Sequence, residues 1–349
     1  MNRKMARAPS DVAGLVNAGL VKTEDSPALR PVEDAFSVRI TQEVLTQISA
    51  ATLDDPIFAQ YVPQTAELIT RADELADPIG DDAHEKVKGL IHRYPDRVLL
   101  KPTQTCAVYC RFCFRREKVG HGAEGLSAAE LDAAIAYVAS HPEINEVILT
   151  GGDPLVHSVR RLKDIVERLA AITHVSILRF HTRVPLVEPA RVTRELVKVL
   201  QLHPASHVVI HVNHAAELSP AVGKALALMV DAGIPLLSQS VLLKGVNDDA
   251  EILGQLFRKL VSLRVKPYYL HHLDKARGTS HFRVPLAKGQ ALMAALRGRI
   301  SGFALPAYVL DIPGGFGKVP VNADHVREVA PGQYEIADPW GRRHRYSEM

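Results

Sequence analysis

The chain has 349 residues, 47% of them hydrophobic and 23% charged, with a net charge of +3 at neutral pH. That is the balance of a globular protein with room for one large domain and appendages, and so small a charge argues against nucleic-acid or membrane-surface partners. No stretch approaches the roughly 20 apolar residues of a membrane helix. The opening MNRKMARAPSDVAG carries early positive charge with no apolar run behind it, a poor signal peptide, so a cytoplasmic protein is expected.

Residues 1–90 are rich in charged and helix-forming residues broken by Asp55-Pro56 and Asp77-Pro78. They predict a mainly helical extension, a lid or collar more than a core. Beyond it, apolar β-branched runs alternate with amphipathic stretches. Strands are expected at Val98–Leu100, Glu146–Thr150, Ser176–Phe180, His207–Val212, Pro235–Leu243 and Lys266–Leu273. Between them lie predicted helices, the first headed by the capping-box pattern Ser127-Ala-Ala-Glu130. Near-continuous apolar strands alternating with helices point to a parallel sheet covered on its outer face. Six such units over residues 91–321 predict an α/β fold, a partial (β/α)6 TIM-like barrel with its chemistry at the C-terminal ends of the strands. The polar, basic segment 322–349 reads as a surface tail.

All three cysteines fall within eight residues, Cys106-Ala-Val-Tyr-Cys110-Arg-Phe-Cys113, just after the first predicted strand. An odd, clustered set is no disulfide framework. Three thiolates can hold three irons of a [4Fe–4S] cubane and leave the fourth open. A structural zinc site completed by one of the 16 histidines is the competing reading, although no second knuckle of the usual spacing is present. The spacing, with Phe112 just before the last cysteine, resembles the radical S-adenosylmethionine superfamily. An open iron there chelates the amino and carboxylate groups of S-adenosylmethionine. Thr150-Gly151-Gly152-Asp153-Pro154, after the second strand, is by itself a turn; within this resemblance it looks like the motif that receives the methionine amine, with Gly151 and Gly152 allowing close backbone approach and Asp153 adding charge. His211 and Gln239 are polar residues inside apolar strands that need partners, and are further candidates for the cofactor.

The narrower likeness is carried by His92-Arg-Tyr-Pro-Asp-Arg97, Cys113-Phe-Arg115-Arg116, Gln239-Ser-Val-Leu-Leu-Lys-Gly-Val-Asn247-Asp248, Pro267-Tyr-Tyr-Leu, Asp274 and Asp311-Ile-Pro-Gly-Gly-Phe-Gly-Lys318. Together, from about residue 85 to 321, these resemble lysine 2,3-aminomutase. The resemblance implies an isomerase that moves the α-amine of L-lysine to C3 using the cluster, S-adenosylmethionine and pyridoxal 5'-phosphate. In it, Lys318 holds the aldehyde as a Schiff base, Arg93 and Arg97 bind its phosphate, Arg115 receives the substrate carboxylate, and Asp274 with Asp311 holds the ε-ammonium. Phe316 stands where the family has another glycine and is expected to stiffen or reshape that loop. The extra cysteines of a zinc-braced form are absent: Asp249 stands where one is expected. This compact form is shared with relatives that isomerise lysine destined for elongation factor P, and Leu270-His-His-Leu-Asp274-Lys-Ala-Arg-Gly278 looks like that branch. A mutase for another amino acid, and a protein-modifying radical enzyme without pyridoxal phosphate, stay open. The implied partners are a small amino-acid substrate and a reductant such as flavodoxin or ferredoxin; a homo-oligomer is compatible.

Overall fold

The computed structural model describes residues 8–120, 124–322 and 325–348; residues 1–7, part of the opening considered above for a signal peptide, lie outside them. Ten strands form one sheet in strict chain order: β1 (Glu85–Val87), β2 (Leu90–Tyr94), β3 (Arg97–Thr103), β4 (Glu146–Gly151), β5 (Ile177–Thr182), β6 (Ser206–His211), β7 (Leu236–Leu242), β8 (Val265–His272), β9 (Ala307–Asp311) and β10 (Lys318–Pro320). Strands β3 to β9 run parallel, and β1, β2 and β10 flank them antiparallel. Since β1 and β10 are edges rather than partners, the barrel is incomplete. The expected six strand–helix units are all present, and a seventh parallel strand follows them. That strand, β9, escapes a pattern search because it is five residues long, beginning directly after Pro306 and ending two residues before Pro313.

The helices are α1 (Val12–Asn17), α2 (Ser26–Ala35), α3 (Gln42–Gln47), α4 (Pro56–Tyr61), α5 (Ala128–Ala139), α6 (Val159–Ala170), α7 (Val184–Val187), α8 (Arg194–Leu200), α9 (Pro220–Asp231), α10 (Ala250–Ser262) and α11 (Leu286–Leu296). Local chemistry sets their ends. Ser127 Oγ accepts from the Glu130 N–H while the Glu130 carboxylate accepts from the Ser127 N–H, which satisfies two orphan donors at the start of α5. In α6, Leu162, Ile165, Val166 and Leu169 recur at helical spacing and are fully buried, the stripe that seats this helix on the sheet.

Two expectations about the flanks need correction. The N-terminal extension is no loose collar: Leu15, Val44, Leu45, Ile57 and Tyr61 belong to the same buried cluster as barrel residues Leu149, Phe180 and Ile210. Its short helices are built around a few deeply buried apolar residues, so charge-rich composition hid their role. The sheet also starts at Glu85, ahead of the boundary drawn at residue 90. At the other end, the tail forms a small antiparallel sheet of β11 (Val326–Ala330), β12 (Gln333–Ala337) and β13 (Arg343–Ser347). Its strands are mostly exposed, so hydrophobic patterning left little trace.

Candidate active site

Along β5, Arg179 and His181 alternate with the buried Leu178 and Phe180. A period of two aims such polar residues at one face of a sheet, here the inner one. The result is a cavity of about 850 Å³ inside the barrel, towards the upper end of the range for small-molecule sites. Every candidate named from the sequence lines it: Cys106, Cys110, Cys113, Arg93, Arg97, Arg115, Gly151, Gly152, Asp153, His211, Gln239, Asp274, Asp311 and Lys318.

The cysteine loop leaves the end of β3 and is held from outside by the N-terminal extension. The Tyr109 and Arg111 N–H groups donate to the carbonyls of Arg39 (3.1 Å) and Gln60 (2.8 Å). The Arg111 side chain forks onto Glu67 through Nε (3.0 Å) and Nη2 (2.6 Å), and Arg116 pairs with the same carboxylate. Burial opposes the Glu67 charge, yet the two arginines hold its carboxyl below the usual range. The three thiols are free, and burial raises them, Cys110 to about 11, so a bound metal has to displace their protons.

The Gly151-Gly152-Asp153 turn braces this loop. The Gly152 and Asp153 N–H groups donate to the carbonyls of Thr103 (2.8 Å) and Thr105 (2.9 Å). A Cβ at Gly152 would collide with the Thr105 carbonyl oxygen and sit 2.7 Å from Thr105 C and N, so only glycine permits the approach. Asp153 departs from expectation. Its carboxylate accepts from Thr182 Oγ1 (2.7 Å) and the N–H groups of Leu155 (3.0 Å), Arg183 (2.6 Å) and Val184 (3.1 Å). Four donors fill its capacity, so Asp153 shapes the turn instead of offering free charge. Burial also pushes its pKa up.

On the opposite wall, Lys318 Nζ contacts the Asp311 carboxylate and lies 3.2 Å from His271 Nδ1. Burial opposes the Asp311 charge, but the Lys318 ammonium beside it holds its carboxyl at about 2. Asp274 behaves oppositely: burial and the neighbouring Asp311 charge push it to about 7. The loop joining Asp311 to Lys318 has positive φ at Gly314, Gly315 and Gly317 but not at Phe316. The one non-glycine of the run therefore sits where a side chain is allowed, and its ring points out at 79% exposure. Phe316 does not line the cavity.

Sequence reading missed several residues. Asp81 links Arg93 (3.2 Å) and Arg115 (2.9 Å), and despite burial Arg115, Lys101 and Arg93 hold its carboxyl low. Arg97 stacks on Tyr94, 3.9 Å from the ring centre. His181 and His271 join His211 as buried imidazoles that burial keeps neutral, His211 at about 3. Their Nε2 atoms find no partner among the described residues. The two-residue polar alternation within β5 and β8 was the available signal.

Comparison with known proteins decides the assignment. A model of the radical SAM superfamily matches residues 100–256, and one described as lysine-2,3-aminomutase matches 293–333. The L-lysine 2,3-aminomutase of Acetoanaerobium sticklandii is 41% identical over 303 residues, 87% of this chain and 73% of that protein. The Clostridium subterminale enzyme of that name is 40% identical over 88% of this chain and 74% of its own. That of Methanococcus maripaludis is 42% identical over 87% and 70%. The chain belongs to the lysine 2,3-aminomutase family.

The cofactors of the lysine 2,3-aminomutase family are a [4Fe–4S] cluster, S-adenosylmethionine and pyridoxal phosphate, and the residues present fit them. Among the described residues no three His, Cys, Asp or Glu side chains converge on a single ion. Thiolates that each bind a different iron of a cubane need not converge. The imidazole Nε2 atoms without partners among the described residues and the cavity-lining amine of Lys318 suit a bound cofactor set. Among the described residues no helix is long and apolar enough to cross a membrane.

Proposed function

We infer that this chain is a cytoplasmic L-lysine 2,3-aminomutase, converting L-lysine to β-lysine. The observation that carries the reading is that Lys318, Asp274, Asp311 and the cysteine triad line one cavity. When bound, the cluster and S-adenosylmethionine supply one-electron chemistry, and pyridoxal phosphate supplies an aldehyde to hold the migrating amine. Cys106, Cys110 and Cys113 hold the cluster at the end of β3, kept in place by Glu67 and the Gly152 turn. Lys318 offers its amine to the aldehyde, while Arg93 and Arg97 receive the phosphate.

Arg115 forks onto the substrate carboxylate, as a planar guanidinium suits, and Asp81 holds it aimed. Asp274 and Asp311 face the ε-ammonium. Two carboxylates for one cation favour lysine over alanine or glutamate. A low-potential reductant of the flavodoxin or ferredoxin type delivers the electron.

A substrate panel tests this reading. Anaerobically reconstituted protein should turn over lysine and leave alanine and glutamate untouched. Asp311→Ala should keep the cluster but lose about 2–4 kcal/mol of transition-state binding, roughly 30- to 1000-fold in kcat/KM. An Asp311→Ala variant that turns over lysine as well as the parent removes the ε-ammonium role and points to another substrate.

A further inference from the structure

Three side chains from three strands meet at the reacting amine. Lys318 heads β10, Asp311 ends β9, and His271 lies near the end of β8. His271 Nδ1 is 3.2 Å from Lys318 Nζ and 3.5 Å from Asp311 Oδ2, and Asp311 also contacts Nζ directly. An ammonium can only donate. Nδ1 therefore accepts from it, and the ring proton sits on Nε2. Nucleophile and base within hydrogen-bond reach, with the base oriented by a third group, is the arrangement that activates nucleophilic side chains in general. A lysine attacks a carbonyl only through a free lone pair, so something nearby has to take its proton first.

We propose that His271 is the base that takes the proton from Lys318, and so a catalytic residue of the attachment step. This rests on the reading of Lys318 as the aldehyde-binding lysine. One N–H bond of the ammonium breaks and one N–H bond forms at Nδ1; no other bond changes and no electron is transferred. The positive charge moves from Nζ to the imidazole and stays beside the Asp311 carboxylate. The reverse transfer restores the ammonium when Lys318 is released.

The surroundings suit the task. Burial and the Lys318 charge keep the imidazole neutral, so Nδ1 is free to accept. Asp311, held at about 2, remains a carboxylate throughout and stabilises the imidazolium. The other titratable groups facing the ring are Tyr269 on its own strand, 5.6 Å away, and His181 and His211 on β5 and β6, both buried and neutral. None of these hydrogen-bonds to Nζ among the described residues; Tyr269 offers only its ring face, 5.5 Å from the amine.

The test uses pyridoxal phosphate as the probe and reads covalent capture at Lys318 by borohydride trapping and peptide mapping, apart from any turnover. In the parent, the capture rate should level off well below the ordinary lysine range near about 10.4. His271→Asn keeps a hydrogen-bond acceptor for Nζ but has no basicity. Its rate should fall on the order of 100-fold near neutral pH, then climb with pH towards the parent's as Lys318 loses its proton unaided. His271→Gln serves as a second, longer replacement with the same expectation. Capture by either folded variant at the parent's rate and pH profile overturns the proposal. So does a parent rate that keeps rising tenfold per pH unit to about 10, a result that needs no variant. Labelling of the parent at a lysine other than Lys318 overturns instead the reading on which the proposal rests, and mapping separates the two failures.

Discussion

Arg111 Nη2 lies 2.6 Å from Glu67 Oε2, with the side chains 1% and 0% exposed. Arg111 is the residue between Cys110 and Phe112, so this pair ties the cysteine loop to the N-terminal extension. Removing one partner of a buried ion pair leaves the other uncompensated, a cost of about 3–5 kcal/mol. Glu67→Gln should lower thermal stability accordingly and reduce the iron bound per chain after reconstitution. Thermal unfolding and iron analysis check this; parent-like values in both would show that the extension does not hold the loop.

Gly152→Ala should damage the same loop from inside. The new Cβ meets the Thr105 backbone, which cannot move without disturbing Cys106. We expect iron content to fall and the visible spectrum of the reconstituted cluster to change. A variant that reconstitutes like the parent would mean the turn and the cysteine loop are not coupled.

Much of this site was legible because its chemistry sits in compact strings. The cysteine triad, Lys318 and its glycine run, and the Arg93–Arg97 segment each occupy a few consecutive residues. What stayed hidden depends on partners far apart in the chain. Glu67 reads as one more surface acid until Arg111, 44 residues on, is seen to bury it. Asp81 likewise gains meaning only between Arg93 and Arg115. His181 and His271 lie in apolar strands, where a lone histidine reads as core. The parallel strands β3 to β8 were readable from their apolar runs, whereas β1, β2, β9 and β10 are short or polar and are defined by pairing.

Asp274 gives a pH signature. Its folded pKa, about 7, lies above the unfolded value of about 3.9. Its contribution to stability is therefore full below about pH 4, declines as pH rises towards 7 and is gone above it. Asp274→Asn should match the parent's melting temperature near pH 4 and exceed it at pH 8. Conversely, KM for lysine in the parent should rise as pH falls below about 7, because a protonated Asp274 no longer pairs with the ε-ammonium. Asp311, at about 2, stays charged across this window and adds no inflection. Melting curves and KM at several pH values read both effects; a parent whose KM is flat through pH 7 would remove Asp274 from substrate binding.

Arg97 tests the phosphate site. Losing a charge-assisted hydrogen bond costs about 1.5–3 kcal/mol, so Arg97→Gln should weaken pyridoxal phosphate binding roughly 10- to 100-fold while leaving the cluster intact. Fluorescence titration measures this directly. Unchanged affinity would place the phosphate elsewhere in the cavity.

The central claim is that the chain moves the α-amine of lysine to the neighbouring carbon, and nitrogen labelling tests it most directly. Anaerobic protein with cluster, S-adenosylmethionine, pyridoxal phosphate and a reductant is given L-lysine labelled with heavy nitrogen at the α-position only. The account predicts β-lysine with the label at C3 and unlabelled nitrogen on the ε-carbon. Consumption of S-adenosylmethionine with no labelled β-lysine, from protein carrying a full cluster and pyridoxal phosphate on Lys318, would contradict it.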